Sequence, residues 1–145
     1  MSMGSKYLKI SVRMAIVLGV FLPVLETIRR IHQILVPQYF FRWFDDYTLG
    51  AILLIAAYMV KQNKRNATAY LIAAWGIAAG ALGVSLFVQM DGYAHGLADD
   101  GVFSSGLVTI AKASILLYIL IGLHYCIKAG KDSVRMRTKD GGRGA

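Results

Sequence analysis

Residues 26–47 read ETIRRIHQILVPQYFFRWFDDY, and the way this stretch is understood decides the fold. It joins the first two long apolar runs, where a simple turn would have sufficed, yet it carries one Glu, three Arg, one His, two Asp and six aromatics. Aromatic rings at this density beside an apolar run belong at a membrane–water boundary, where they keep an apolar body in lipid and a polar edge among headgroups. Ile28, Ile31 and Leu35 share one helical face, and Glu26, Arg29, Arg30 and Gln33 another. The first helix is therefore expected to leave the bilayer as an amphipathic segment and to end before Pro37, since the residue ahead of a proline avoids helical backbone angles. Asp45 and Asp46 are expected at the start of the second helix, where carboxylates accept from free amides and suit the helix dipole.

Composition agrees with an interfacial belt. The chain has 145 residues, enough for one domain, and 57% of them are hydrophobic, against about 45–50% in soluble domains. Mean hydropathy is +0.54. Charge gathers at the ends and between apolar runs, as in a multi-pass membrane protein. The net charge of +8 would suggest nucleic acid in a soluble chain. Here topology and anionic lipid account for it, no nucleic-acid fold signature accompanies it, and no nucleic-acid partner is expected. Cys126 is the single cysteine, which excludes an internal disulfide and CxxC chemistry. Lys6, Lys9 and Arg13 precede an apolar run that ends in Glu26-Thr27-Ile28-Arg29-Arg30 rather than a small-x-small cleavage motif, so the run is read as an uncleaved membrane helix.

Four spans follow from about twenty apolar residues per crossing: residues 8–30, 44–60, 67–90 and 105–127, with the domain covering 1–127. Pro23 lies inside the first span and withdraws the amide that would bond the Gly19 carbonyl. Residues 128–145 hold six basic and two acidic side chains with four Gly, and a disordered tail is expected. With the N-terminus inside, three basic residues at the start, three in residues 61–66 and six in the tail face the cytoplasm, against Arg29, Arg30 and Arg42 outside. Such an asymmetry predicts an all-α, four-span protein of the inner cell membrane with both termini cytoplasmic.

An ionisable residue within a span is a functional hypothesis by default, because it is costly there. Lys112 lies about two turns inside the fourth helix, roughly 10 Å below its outer end at the helical rise. Glu26, Arg30 and Asp46 map to the same side, and Glu26 precedes Arg30 by four positions, a pairing distance on a helix. Glu26, Arg30, Asp46 and Lys112 thus form a candidate ligand or ion site, with Glu26 or Asp46 as the expected partner of Lys112. The bland alternative makes them anchors, caps and a snorkelling lysine. On the third helix Ala73, Gly76, Gly80 and Gly83 recur at spacings of three and four, a face that lets helix backbones approach closely, first within the monomer and alternatively between copies.

Histidine raises haem or metal chemistry. His124 lies roughly 30 Å down the fourth helix from its outer end, whereas His32 and His95 map to the outer side, so His124 cannot share an iron with either. His32 and His95 stay weak metal candidates, and no cofactor is predicted. Ser104 and Ser105 have no nearby base and read as helix caps. Three classes remain: a non-enzymatic membrane protein acting through self-association or as an accessory subunit of a membrane complex; a small transporter or ligand-binding protein with an outer charged site; and a haem- or quinone-associated electron-transfer subunit. Enzymatic activity is not expected. Expected partners are the lipid bilayer and a homo-oligomer or larger membrane complex.

Overall fold

A computed structural model of the protein describes the backbone of residues 3–29, 40–96 and 104–141, and the side chains of 6–28, 44–96 and 104–132. Four helices account for nearly all of it: α1 (Met3–Arg29), α2 (Phe40–Lys61), α3 (Ala67–Ala94) and α4 (Ser105–Gly141). They close into a ring in which α1 packs on α2 and α4, and α3 on α2 and α4, while α1 and α3 barely touch across the diagonal. Sequential neighbours run antiparallel. Thr27 near the end of α1 meets Tyr47 near the start of α2, Ser85 late in α3 meets Lys112 early in α4, and Tyr7 stacks on Tyr125 at a centroid distance of 5.8 Å. The result is an up-down-up-down bundle.

The chain reverses between α2 and α3 through a compact backbone device. Lys64 N–H donates to the Met59 carbonyl at 3.1 Å and Asn63 N–H to that of Val60 at 3.1 Å, with Asn63 at φ 51°. That pair of bonds around a left-handed residue satisfies the last carbonyls of a helix, and asparagine tolerates the conformation better than most. Asn66 at φ 61° opens α3. Two asparagines thus turn the chain within the basic stretch of residues 61–66.

Hydrophobic side chains lie on both surfaces of the bundle. Trp75, Leu53, Leu71, Ile119 and Cys126 are fully buried, but Val20, Phe21, Ile55, Val84, Phe87, Ile110 and Leu117 point outward. Three helices are long and apolar enough to cross a membrane, over Lys6–Ile28, Ala67–Ala94 and Ser105–Asp132, and no more than 33% of each is buried inside the protein. The remaining apolar surface calls for a second apolar phase, which a bilayer supplies.

Several boundaries differ from expectation. Asp45 and Asp46 do not start α2: the helix opens at Phe40, because nothing in the aromatic run after Pro37 breaks it. The two aspartates therefore sit in its second turn. α3 continues through Ala94 and is closed by Gly96 at φ 69°, a left-handed position suited to glycine. Ser104 stands immediately before α4, its carbonyl accepting from Val108 N–H at 3.1 Å. The tail expected to be disordered instead carries α4 on to Gly141, since Lys, Arg and Met favour helix and no proline intervenes. The stretch around Arg30 and His32, between α1 and α2, lies outside the described residues.

Two close seams hold the ring together. An added Cβ on Gly50 would lie 2.6 Å from the Gly19 carbonyl oxygen and 2.9 Å from Pro23 Cγ, and one on Gly19 would lie 3.0 Å from the Gly50 carbonyl oxygen. Each backbone thus presents an α-hydrogen to the other's carbonyl, a weak but reciprocal contact. The Gly19 carbonyl is the one deprived of its helical partner by Pro23. The second seam is polar. Trp75 Nε1 donates to Ser11 Oγ at 2.9 Å, and Ser11 Oγ donates to the Gly122 carbonyl at 2.9 Å, joining α3, α1 and α4.

Candidate functional site

Above these seams the helices border a half-open cavity of about 820 Å³. Its floor is aliphatic: Leu22 from α1, Leu49 and Ile52 from α2, Leu82 from α3 and Ile115 from α4. Its polar residues come from all four helices, with Glu26 on α1, Asp45, Asp46 and Thr48 on α2, Ser85 on α3 and Lys112 on α4. Helical spacing explains the convergence. Leu22 and Glu26 are one turn apart on the inward stripe of α1, as are Val108, Lys112 and Ile115 on α4, so each charged residue sits in line with core positions.

Glu26 is only 5% exposed, at the end of α1 where it rises past Pro23. Its neighbour Thr27 donates to the Pro23 carbonyl at 2.7 Å and makes a short hydrogen bond with the Tyr47 hydroxyl. Those two contacts fix the last turn of α1 against α2. Lys112 is half-buried; its ammonium donates to Ser85 Oγ at 2.9 Å and more distantly to Gln89 Oε1 at 3.4 Å. A lysine donates three hydrogens and accepts none, so neutral oxygens one turn apart on α3 are a fitting cradle. Asp45 is exposed and Asp46 half-buried, so carboxylates occur both in the cavity wall and at its edge.

Of the residues singled out in the sequence, Glu26, Asp46 and Lys112 are brought to this one cavity, while Arg30 falls outside the described residues. Ser85 and Gln89 were missed. The available signal was their i, i+4 spacing near the end of an otherwise apolar helix, facing the same level as Lys112. The small-residue face of α3, expected first to pack within the monomer, is open at its glycines. An added Cβ on Gly76, Gly80 or Gly83 would meet nothing within 4 Å, Ala73 is exposed, and Gly80 borders the cavity. The helices approach closely at the isolated glycines 19, 50 and 122 instead.

No protein-family model, curated protein or solved structure matches this chain. The residues themselves must carry the functional reading. His95 is exposed at the end of α3, its Nδ1 2.8 Å from the Asp91 carbonyl oxygen and 3.4 Å from Asp91 Oδ1, which is a helix-end contact. His32 lies outside the described residues. His124 is exposed near the opposite end of the bundle, edge-on to Tyr125. Among the described residues no group of three or more His, Cys, Asp or Glu side chains could hold a metal ion.

Proposed function

We propose that this is a four-span integral membrane protein of the inner membrane, with both termini cytoplasmic, that binds a small amphiphilic molecule in its outer half. The observation that carries this reading is the convergence of Glu26, Asp46 and Lys112, from three helices, on one cavity with an aliphatic floor. A concave apolar pocket with a few convergent polar groups is what a small-molecule site requires, and charged groups placed within a span are costly unless used. α2 is the fourth crossing in this reading. Its aspartates stand at the headgroup level, and the twelve-to-three distribution of basic residues sets the orientation. The same architecture serves binding alone or carriage across the bilayer.

The test is accessibility. Ser85→Cys places a thiol on the cavity wall, while the native Cys126 is fully buried and provides the unreactive background. A membrane-impermeant thiol reagent applied from outside is expected to label Ser85→Cys at least about tenfold faster than the parent protein, because thiol reactivity follows exposure and thiolate access. No labelling from either face, or labelling from the cytoplasmic face alone, would overturn the proposal.

A second reading, self-association, rests on the open α3 face. Gly76 does not line the cavity, so Gly76→Ile separates the two ideas. If copies meet there, cross-linked dimers in native membranes are expected to fall severalfold with thermal stability unchanged, because close backbone approach through small residues is lost. A wild-type protein that yields no dimer, or a dimer indifferent to Gly76→Ile, rejects that interface.

A further inference from the structure

Resting on the ligand-binding reading above, we infer that the cavity opens sideways into the bilayer between α2 and α3, and that its occupant is the hydrocarbon chain of a membrane-dissolved amphiphile entering by this gap. Contacts elsewhere fix which flank of each helix borders the gap. On α2, Gly50 lies against Gly19 of α1 and Tyr47 meets Thr27. Asp45, Thr48 and Ile52, across the inward stripe of Leu49 and Leu53, therefore form the flank turned to α3. On α3, Trp75 faces Gly122 of α4 and Ile72 lies nearest Gly130, so Ile77, Ala81 and Val84 form the flank turned to α2. Near the α2–α3 turn the two helices close on each other, and Ala56, Ala57, Leu71, Ala74 and Ala78 are buried. Higher up they part. Thr48 and Ala81 are exposed, and Ile77 (51%) and Val84 (66%) are as open as Val20 (53%) and Ile55 (60%) on the outside of the bundle, yet all four flank residues line the cavity. Depth separates this opening from the polar end. Ile77 lies roughly 12 Å below Ser85 by the helical rise, whereas Leu107 and Ala111, the exposed wall residues of α4, precede Lys112 and stand above it. Among the described residues, the opening at the depth of the aliphatic floor is thus the one between α2 and α3. Thr48 at its edge donates to the Phe44 carbonyl of its own helix at 3.0 Å and needs no water in the gap. An unfilled apolar void forfeits dispersion contacts, and water requires polar partners that this floor lacks, so hydrocarbon from the surrounding lipid is the fitting content. The volume of about 820 Å³ falls within the range of about 300–1,000 Å³ for sites that hold one small molecule, which suits one chain with its polar end toward Ser85 and Lys112.

Photolabelling from within the bilayer tests this. The full-length protein in phosphatidylcholine nanodiscs is irradiated with a long-chain fatty alcohol carrying a mid-chain diazirine, and the adducts are mapped by mass spectrometry. Val20 and Leu117, on the outside of the bundle, report the surrounding lipid. Leu22 and Leu82, buried at the cavity floor, are expected to be labelled as well, because the chain reaches them through the gap. Ala81→Trp and, as a second plug, Val84→Trp are expected to lower floor labelling severalfold with outward labelling unchanged. Gly83→Trp adds the same ring where a Cβ meets nothing within 4 Å, away from the cavity, and is expected to leave floor labelling at the wild-type level. Floor labelling that persists in both plugged variants overturns entry between α2 and α3 while the cavity remains a ligand site. Absence of floor labelling in the wild type overturns the inference, and the Ser85→Cys reaction from outside then decides the ligand-binding reading: a reactive thiol keeps it for a water-borne guest, and an unreactive one ends it too. A free amphiphile and an acyl chain of a resident phospholipid share this chemistry. The same diazirine on a phosphatidylcholine chain distinguishes them, since floor adducts from both probes support the phospholipid chain and adducts from the alcohol alone support a single-chain guest.

Discussion

Gly50→Ala is expected to destabilise the protein by about 1–3 kcal/mol or more, the range for forcing extra volume into a closely packed contact. The new methyl would sit 2.6 Å from the Gly19 carbonyl oxygen, which no real Cβ contact tolerates, and the obstacle is backbone rather than the end of a flexible side chain. Relief requires α1 and α2 to move apart at this crossing, disturbing the reciprocal carbonyl contacts and displacing Pro23, 2.9 Å from the same point. Gly19→Ala is expected to do less. Its nearest neighbour is Leu54 Cγ at 2.8 Å, a side chain that can turn, with the Gly50 carbonyl oxygen next at 3.0 Å. Thermal unfolding in detergent, followed by helical circular dichroism, checks the order: wild type above Gly19→Ala, and Gly19→Ala above Gly50→Ala. Equal stability for Gly50→Ala and wild type would show that the two helices do not meet there.

Trp75→Ala is expected to cost about 3–5 kcal/mol, the usual range for removing a large buried ring, against a total stability of about 5–15 kcal/mol for a typical domain. Ser11→Ala separates the polar part of this seam from the packing. It strands the indole N–H, which donates to Ser11 Oγ, and leaving a buried donor unsatisfied costs about 1–3 kcal/mol. Trp75→Phe is milder, because Ser11 retains its acceptor at the Gly122 carbonyl. Gly122→Ala strikes the same place from α4, its methyl falling 2.5 Å from Trp75 Cζ2. In a double-mutant cycle Trp75→Leu should absorb most of the Gly122→Ala penalty, since residues in contact couple. Strict additivity of the two would mean that they are not in contact.

The helices could be placed from the sequence because hydropathy and charge act over twenty residues at a time. Their ends depended on local features instead. Asp45 and Asp46 resemble a helix start, yet the aromatic residues before them are equally content in a helix, so α2 begins at Phe40. α4 outran its expected end for a related reason: glycine and charge reduce the hydropathy of residues 128–141 without breaking their helix. The charged members of the cavity were legible because an ionisable group in a span has few cheap explanations. Ser85 and Gln89 were not, since neutral polar residues are common in membrane helices and become meaningful only once Lys112 is seen opposite them. The Gly76–Gly80 repeat drew notice as a motif, but contact between helices is a property of two surfaces. Gly19 and Gly50 carry no motif, and only their mutual position reveals the seam.

The way the walls are tied has a mechanical consequence. At the height of the cavity, Thr27 and Tyr47 bolt α1 to α2, and Lys112 with Ser85 bolts α4 to α3, which makes two jaws. Roughly 15 Å lower, by the helical rise between Ser85 and Trp75, the Ser11–Trp75–Gly122 triad joins α1, α3 and α4 and serves as their shared knuckle. If the cavity takes a guest, as proposed, that guest meets two tied pairs of helices whose shared anchor lies below it, at the level of Ser11, Trp75 and Gly122.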